Sequence, residues 1–166
     1  MSAQTIPTLF LDQAARFEHK PLFWAKRADR YEPMTWGQAR EAVQGLSAFL
    51  LSLPVNSGDR VVILSENRPE WAMMDLAIQS LGAWTVPIYP SLNEHDILQI
   101  LSDCEPVVCV VSTADQANKL RAIRQRVPSL RLLLVMDSIT VTPPGEQRWA
   151  EAVAQGRDAQ RRLHEL

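Results

Sequence analysis

The chain has 166 residues, of which 46% are hydrophobic and 22% are charged, with a formal net charge of −2 at pH 7. This length fits one domain or a piece of a larger one, and the composition is that of an ordinary globular protein. The small net charge excludes the basic footprint that binding to nucleic acid or to an anionic membrane requires. The basic residues that do cluster are interpreted as the solvated face of a helix, with phosphate binding as the alternative: Lys119, Arg121, Arg124 and Arg126.

The first 58 residues predict a helix, a β-hairpin and a second, longer helix. Residues 8–17 place apolar side chains at helical spacing, and two short strand candidates at residues 22–25 and 31–35 flank a polar turn that favours antiparallel pairing. Thr35 and Gln38 have the spacing of a capping box, so the long helix is predicted to begin there. The predicted buried face of that helix consists of Ala39, Val43, Leu46 and Leu50.

From residue 59 the pattern changes to alternating strands and helices. Apolar runs predict strands at residues 61–64, 84–88, 107–111 and 132–135. Pro87 has no backbone N–H, so we expect a bulge, a strand end or a sheet edge there. Strands that alternate with helices of this length pair in parallel through right-handed crossovers. The predicted fold class is therefore α/β, a mostly parallel sheet with flanking helices, preceded by a helix and a short hairpin.

The helices between these strands show three further N-terminal capping patterns. The predicted pairs are Asn67 with Glu70, Ser91 with Glu94, and Thr113 with Gln116. Near the end of the chain, residues 140–145 are rich in turn formers and are predicted to be a linker. We therefore divide the chain into residues 1–139, one α/β unit, and residues 140–166, a linker followed by a loosely held helix with a sparse apolar face.

The two cysteines, Cys104 and Cys109, have neither CxxC spacing nor a nearby histidine, so the sequence predicts no metal or redox site on them. Cys109 lies in an apolar run and is interpreted as a core residue. The N-terminus has no basic region followed by an apolar core, and no apolar run approaches the roughly 18 residues of a membrane span. We therefore expect a cytoplasmic protein without a transmembrane segment.

The turn at residues 65–70, which follows the first buried strand, is the first place to look for chemistry, because ligands of open parallel sheets sit beyond the carboxyl ends of the strands. Its carboxylates, Glu66 and Glu70, repel phosphate, and Glu70 is already explained as a capping residue, so we interpret the turn as structural. Trp71 and the stiff exit at residues 84–90 admit two interpretations, packing of the helix on the sheet or a pocket for an apolar ligand.

No catalytic, cofactor-binding or metal-binding residue is predicted in these 166 residues. His19, His95 and His164 have no second histidine, cysteine or acid at metal-ligand spacing and are interpreted as surface residues. No G-x-S-x-G nucleophile motif and no glycine-rich phosphate loop are present.

Two segments resemble core motifs of the adenylate-forming, or AMP-binding, acyl-CoA synthetase superfamily. MTWGQAREAV at residues 34–43 is similar to the first motif, L-[TS]-[YW]-x-[EQ]-L, with Ala39 where the family usually has leucine. AIQSLGAWTVPIYP at residues 77–90 is similar to the second, L-K-A-G-x-A-[YV]-V-P-[IL]-x-P. The residues that match the second motif are Gly82, Val86, Pro87 and Pro90. SENRPEW followed by VPIYPSL most resembles bacterial long-chain fatty-acid–CoA ligases.

The resemblance implies a parent enzyme that uses ATP and Mg²⁺ to convert a fatty acid to an acyl-adenylate and then passes the acyl group to coenzyme A. The family's phosphate loop S-G-T-T-G-x-P-K-G, its Y-G-x-T-E adenine motif, its ribose-binding aspartate and its C-terminal domain with the catalytic lysine are absent from this sequence. Residues 1–139 then correspond to an N-terminal α/β subdomain of the parent, which is cytoplasmic or membrane-peripheral.

We therefore expect an N-terminal fragment that is inactive alone, binds none of these cofactors tightly and self-associates through surfaces left bare. Two other interpretations remain open. One is a freestanding, non-catalytic α/β module that binds a partner or an apolar ligand. The other is a flavodoxin-like nucleotide binder, which the acidic turn at residues 65–70 opposes.

Overall fold

The helices and strands follow one another largely as the sequence predicts. The computed structural model describes residues 4–53, 55–138 and 143–164. In chain order its elements are α1 (Ile6–Arg16), β1 (Pro21–Arg27), β2 (Arg30–Thr35), α2 (Trp36–Ser52), β3 (Arg60–Leu64), α3 (Pro69–Ser80), β4 (Trp84–Ile88), α4 (Glu94–Cys104), β5 (Val108–Val111), α5 (Ala114–Ile123), a 3₁₀ turn (Arg124–Arg126), β6 (Leu132–Val135), β7 (Glu146–Arg148) and α6 (Trp149–His164).

A five-stranded parallel sheet forms the centre of the molecule, and its strand order is β4-β3-β5-β6-β7. β1 and β2 form a separate antiparallel hairpin. The predicted α/β class is confirmed, and so is the pairing of the first two strands as a hairpin. β4 and β7 are the edges of the sheet, so β3 has a neighbour on each side.

Successive residues of β3 point to opposite faces of the sheet and feed two apolar layers. Val61 and Ile63 pack into the layer under α1, α2, α3 and α6, whereas Val62 and Leu64 pack into the layer under α4 and α5. All four side chains are fully buried. This two-sided burial explains why the sequence shows a continuous apolar run here and not an alternating one.

Pro87 lies in the edge strand β4, which confirms one of the three positions expected for it. The Trp84 N–H donates to the Asp59 carbonyl on the β3 side at 2.8 Å. Because alternate residues of a strand face opposite neighbours, the nitrogen of Pro87 faces the open edge. No ladder hydrogen bond is therefore lost to the proline.

Two of the four predicted caps are confirmed and two are wrong. Thr35 accepts from the Gln38 N–H as part of a full capping box, and Thr113 accepts from the Gln116 N–H. The N-cap of α3 is Arg68, without a side-chain cap, because Pro69 occupies the first helical turn and leaves Asn67 one residue too early. The N-cap of α4 is Asn93, which accepts from the Asp96 N–H at 3.0 Å, and not Ser91.

The C-terminal segment contains a strand that the sequence did not predict. β7 extends the sheet beside β6, and α6 then crosses α2. Ala152 is fully buried in the core, and a Cβ built on Gly156 would overlap the carbonyl oxygen of Gly45, so the two backbones touch. Residues 139–142, in the predicted linker, lie outside the described residues. The division into residues 1–139 and 140–166 stays a prediction, although α6 has core contacts where the sequence predicted a loose helix.

Candidate functional site

The acidic turn, residues 65–70, leaves the sheet at its carboxyl edge and is organised around one guanidinium group. Arg68 donates through Nε to Glu70 at 2.9 Å and through Nη1 to Asp137 at 2.8 Å. Asp137 lies two residues after the end of β6, so Arg68 connects the exit of β6 to the start of α3. The Glu70 side chain is only 14% exposed. Glu70 therefore pairs with Arg68 here, whereas the sequence predicted a partnership with Asn67.

Opposing effects act on the guanidinium of Arg68. Partial burial lowers its pKa, but hydrogen bonds and charge attraction from Glu70 and Asp137 outweigh burial, and the pKa is raised above the ordinary value for arginine. Arg68 is therefore charged at neutral pH. Its charge is used within the protein, so it is not available to a bound anion.

An aromatic pocket of about 460 Å³ lies between the acidic turn and the exit of β4. Its walls are mostly apolar and carry two aromatic rings, and polar side chains of the turn stand on one side. The lining residues are Ser65, Glu66, Asn67, Trp71, Pro87, Ile88, Tyr89 and Pro90. Trp71 also packs, half-buried, against the core. The two interpretations of this tryptophan, packing and pocket lining, are therefore both supported by its position.

A second cavity, the hairpin pocket, lies on the other side of the same turn and measures about 380 Å³. Trp24 and Lys26 of β1 face Glu66, Arg68 and Glu70 across it. Glu66 and Asn67 line both cavities, so the turn is a ridge between them. The sequence predicted the location of this site but not the contribution of the hairpin.

The described residues at this edge do not fit the phosphates of ATP or a Mg²⁺ ion. The acidic turn contains no glycine that would let backbone N–H groups wrap a phosphate, and its one cation is paired with two carboxylates. Among the residues that the structure describes, no group of three or more His, Cys, Asp or Glu side chains could hold a metal ion.

The basic cluster of α5 and the 3₁₀ turn after it forms structural contacts, so its interpretation as a solvated face is wrong for three of the four residues. Lys119 donates to the carbonyls of Pro90 and Leu92 at 2.8 and 2.9 Å. Arg121 forms two hydrogen bonds, at 2.8 and 2.7 Å, with a carboxylate that is 2% exposed, that of Glu146. Arg124 donates to two further backbone carbonyls. Only Arg126 is exposed.

The remaining candidate residues have no partners that would make a site. His19 and His95 are exposed, as predicted, and the side chain of His164 lies outside the described residues. Cys109 is fully buried in the core, as predicted, and burial raises the pKa of its thiol. Burial also raises the pKa of Cys104, which is half-buried. Neither thiol is therefore disposed to ionise near neutral pH.

None of the helices within the described ranges has both the length and the apolar character needed to cross a membrane.

A model of the family described as AMP-binding enzyme matches residues 10–164 of the chain. The long-chain-fatty-acid–CoA ligase heimdall of Drosophila melanogaster is 33% identical over 135 residues, which cover 79% of this chain and 20% of that protein. The long-chain-fatty-acid–CoA ligase FadD15 of Mycobacterium bovis is 39% identical over 101 residues, which cover 61% of this chain and 17% of that protein. The chain thus spans about a fifth of the length of these relatives.

Solved structures show the same fold at lower identity. The acetoacetyl-CoA synthetase from Streptomyces lividans superposes with a TM-score of 0.81 at 23% identity, covering 89% of this chain and 24% of that chain. The anthranilate CoA ligase AuaEII, in complex with anthranoyl-AMP, superposes with a TM-score of 0.79 at 22% identity, covering 89% of this chain and 27% of that chain.

Removing the guanidinium of Arg68 should destabilise the fold. Arg68→Leu removes the guanidinium that bonds the largely buried carboxylate of Glu70 and the carboxylate of Asp137, and we expect the free energy of unfolding in urea to fall by about 2 kcal/mol. Arg68→Lys should recover only part of this loss, because one ammonium group cannot donate to two separated carboxylates in the same way.

Arg30→Leu is the matched control, since Arg30 is 84% exposed and lies 3.7 Å from Glu32. Its effect should stay within about 0.5 kcal/mol. Equal losses for Arg30→Leu and Arg68→Leu would contradict the role given to Arg68.

Proposed function

Because the chain belongs to the family of AMP-binding enzymes, we propose that it forms the N-terminal scaffold of a long-chain fatty-acid–CoA ligase. The observation that carries this proposal is the family match over residues 10–164, supported by two relatives of that name at 33% and 39% identity. In the complete enzyme, ATP and a fatty acid would form an acyl-adenylate and pyrophosphate. Coenzyme A would then take the acyl group and release AMP. The cytoplasmic location predicted from the sequence is part of this proposal.

The residues that match the family motifs lie at a helix start, a tight turn and a sheet edge. These positions support a scaffold role. Thr35, in the first motif, begins α2 with a capping box. Gly82, in the second motif, has a φ of +69°, and a Cβ built on it would lie 2.8 Å from the hydroxyl of Ser57. Only glycine combines that backbone conformation with so close a neighbour. Pro87, in the same motif, occupies the open edge of the sheet.

The second candidate function is a freestanding module that binds an apolar ligand. The observation that favours it is the aromatic pocket, which is lined by residues of this chain alone. The two candidates differ in whether the chain supports acyl-CoA formation when it is joined to the remainder of a ligase.

We expect the 166-residue chain alone to release no pyrophosphate from ATP, Mg²⁺ and palmitate above a protein-free control. A chimera in which this chain replaces the matching segment of the ligase FadD15 should form palmitoyl-CoA, because the scaffold then positions catalytic parts supplied by the host. Acyl-CoA formation is measured by mass spectrometry.

The control is the same chimera with Gly82→Val, which should lose activity because valine strains a backbone of positive φ. A chimera that folds, judged by circular dichroism, and makes no acyl-CoA would contradict the scaffold proposal. Pyrophosphate release by the chain alone would contradict its inactivity.

We also propose that the isolated chain self-associates through the open edge of β4. Trp84, at the start of β4, is 66% exposed, and Tyr89, directly after its end, is 80% exposed, and the edge of β4 away from β3 has no neighbouring strand in the described sheet. Exposed strand edges with apolar side chains recruit other chains. Light scattering at tens of micromolar should therefore give a mass above 18.7 kDa, and Trp84→Lys should lower it. A mass of 18.7 kDa for the unmodified chain across that range would contradict the proposal.

A further inference from the structure

Glu66 places an exposed carboxylate beside the aromatic pocket. The residue is exposed, lies on the ridge of the acidic turn, and forms no ion pair with any residue in the described parts of the chain. Its nearest cation in sequence, Arg68, is occupied by Glu70 and Asp137. Lys26 faces Glu66 from the hairpin pocket, on the other side of the ridge, and forms no ion pair with it. The negative charge of Glu66 is therefore available to a ligand in the aromatic pocket.

The walls of the pocket suit an apolar body with a positive charge. The indole of Trp71 and the phenol of Tyr89 line it, and aromatic faces attract cations through the negative face of the ring. Pro87 and Pro90 add rigid apolar surface, and Ile88, only 3% exposed, contributes a buried side chain. An organic cation could thus keep apolar contacts on most of its surface.

The wall that carries Tyr89 is held in place from α5. Lys119 donates to the carbonyls of Pro90 and Leu92, and Gln116 donates to the Pro90 carbonyl at 3.2 Å. These bonds fix the turn directly after Tyr89. They also engage the ammonium of Lys119 with backbone carbonyls, so it is not placed to neutralise Glu66.

We propose that the aromatic pocket binds a small organic cation, an ammonium group on an apolar stem, with the charge beside Glu66 and the stem between Trp71 and Tyr89. A fatty-acid carboxylate or a phosphate is disfavoured at the same position because Glu66 repels it. The proposal rests on the residues that line this pocket and does not depend on the proposed adenylation reaction.

Three benzyl compounds of similar size and different charge test the proposal: benzyltrimethylammonium, benzyl alcohol and phenylacetate. Each is titrated into the ¹⁵N-labelled 166-residue chain, and the indole N–H resonances are followed by NMR. The cation should bind most tightly, phenylacetate most weakly, and the Trp71 resonance should shift while those of Trp24 and Trp149 do not. Binding of phenylacetate as tightly as the cation, or of no compound at all, would overturn the proposal.

Variants of Glu66 and Tyr89 test whether these two side chains contact the bound cation. Glu66→Gln should weaken the cation about fivefold and leave benzyl alcohol unchanged, since only a charge is lost. Tyr89→Ala should weaken both compounds. Asp103→Asn and Tyr31→Ala, exposed residues outside the pocket, are the matched controls and should change neither. An unchanged cation affinity in Glu66→Gln, with native circular dichroism, would overturn the assignment.

Discussion

Burial of β3 on both faces is the constraint on which the rest of the structure depends. Four successive apolar residues, Val61 to Leu64, lose all contact with water, and this is possible only if helices cover both faces and strands cover both edges. α2 and α3 supply one cover and α4 and α5 the other. Charged groups are costly to bury in such an interior, and the chain gathers them where the strand ends. The acidic turn and its two pockets lie at that point.

The sequence predicts the parts of the fold that are set by local pattern. The apolar runs locate four strands, and the capping box at Thr35 locates the start of α2, because neighbours in sequence make these contacts. Contacts between distant residues are not visible in this way. β7 is a polar strand of three residues that forms only because β6 offers an edge, and Gly45 meets Gly156 across more than a hundred residues of chain. Asn67 fails as a cap because Pro69 moves the helix start by one residue.

In the candidate site, too, local sequence predicts some features and contacts between distant residues determine the others. The position of the turn at the carboxyl edge follows from the order of strands and helices, and the apolar exit of β4 suggests a pocket from its composition. The different roles of the two acids do not follow, because they depend on Asp137, which is 69 residues from Arg68. Arg68 pairs with Glu70, and Glu66 forms no ion pair with the residues that the structure describes. Physical reasoning from the turn alone assigns Glu70 to a helix cap with Asn67, whereas the fold pairs Glu70 with Arg68 and places Glu66 beside the aromatic pocket.

Native-state hydrogen exchange tests the central role of β3 most directly. If two-sided burial of this strand holds the fold together, the amides of Val62 and Ile63 should exchange only through global unfolding, and those of the β1–β2 hairpin should exchange through smaller openings. The free energies of opening at β3 should then equal the free energy of unfolding measured with urea. Exchange at β3 as fast as in the hairpin would contradict this account, since the strand would then open without disrupting the two apolar layers.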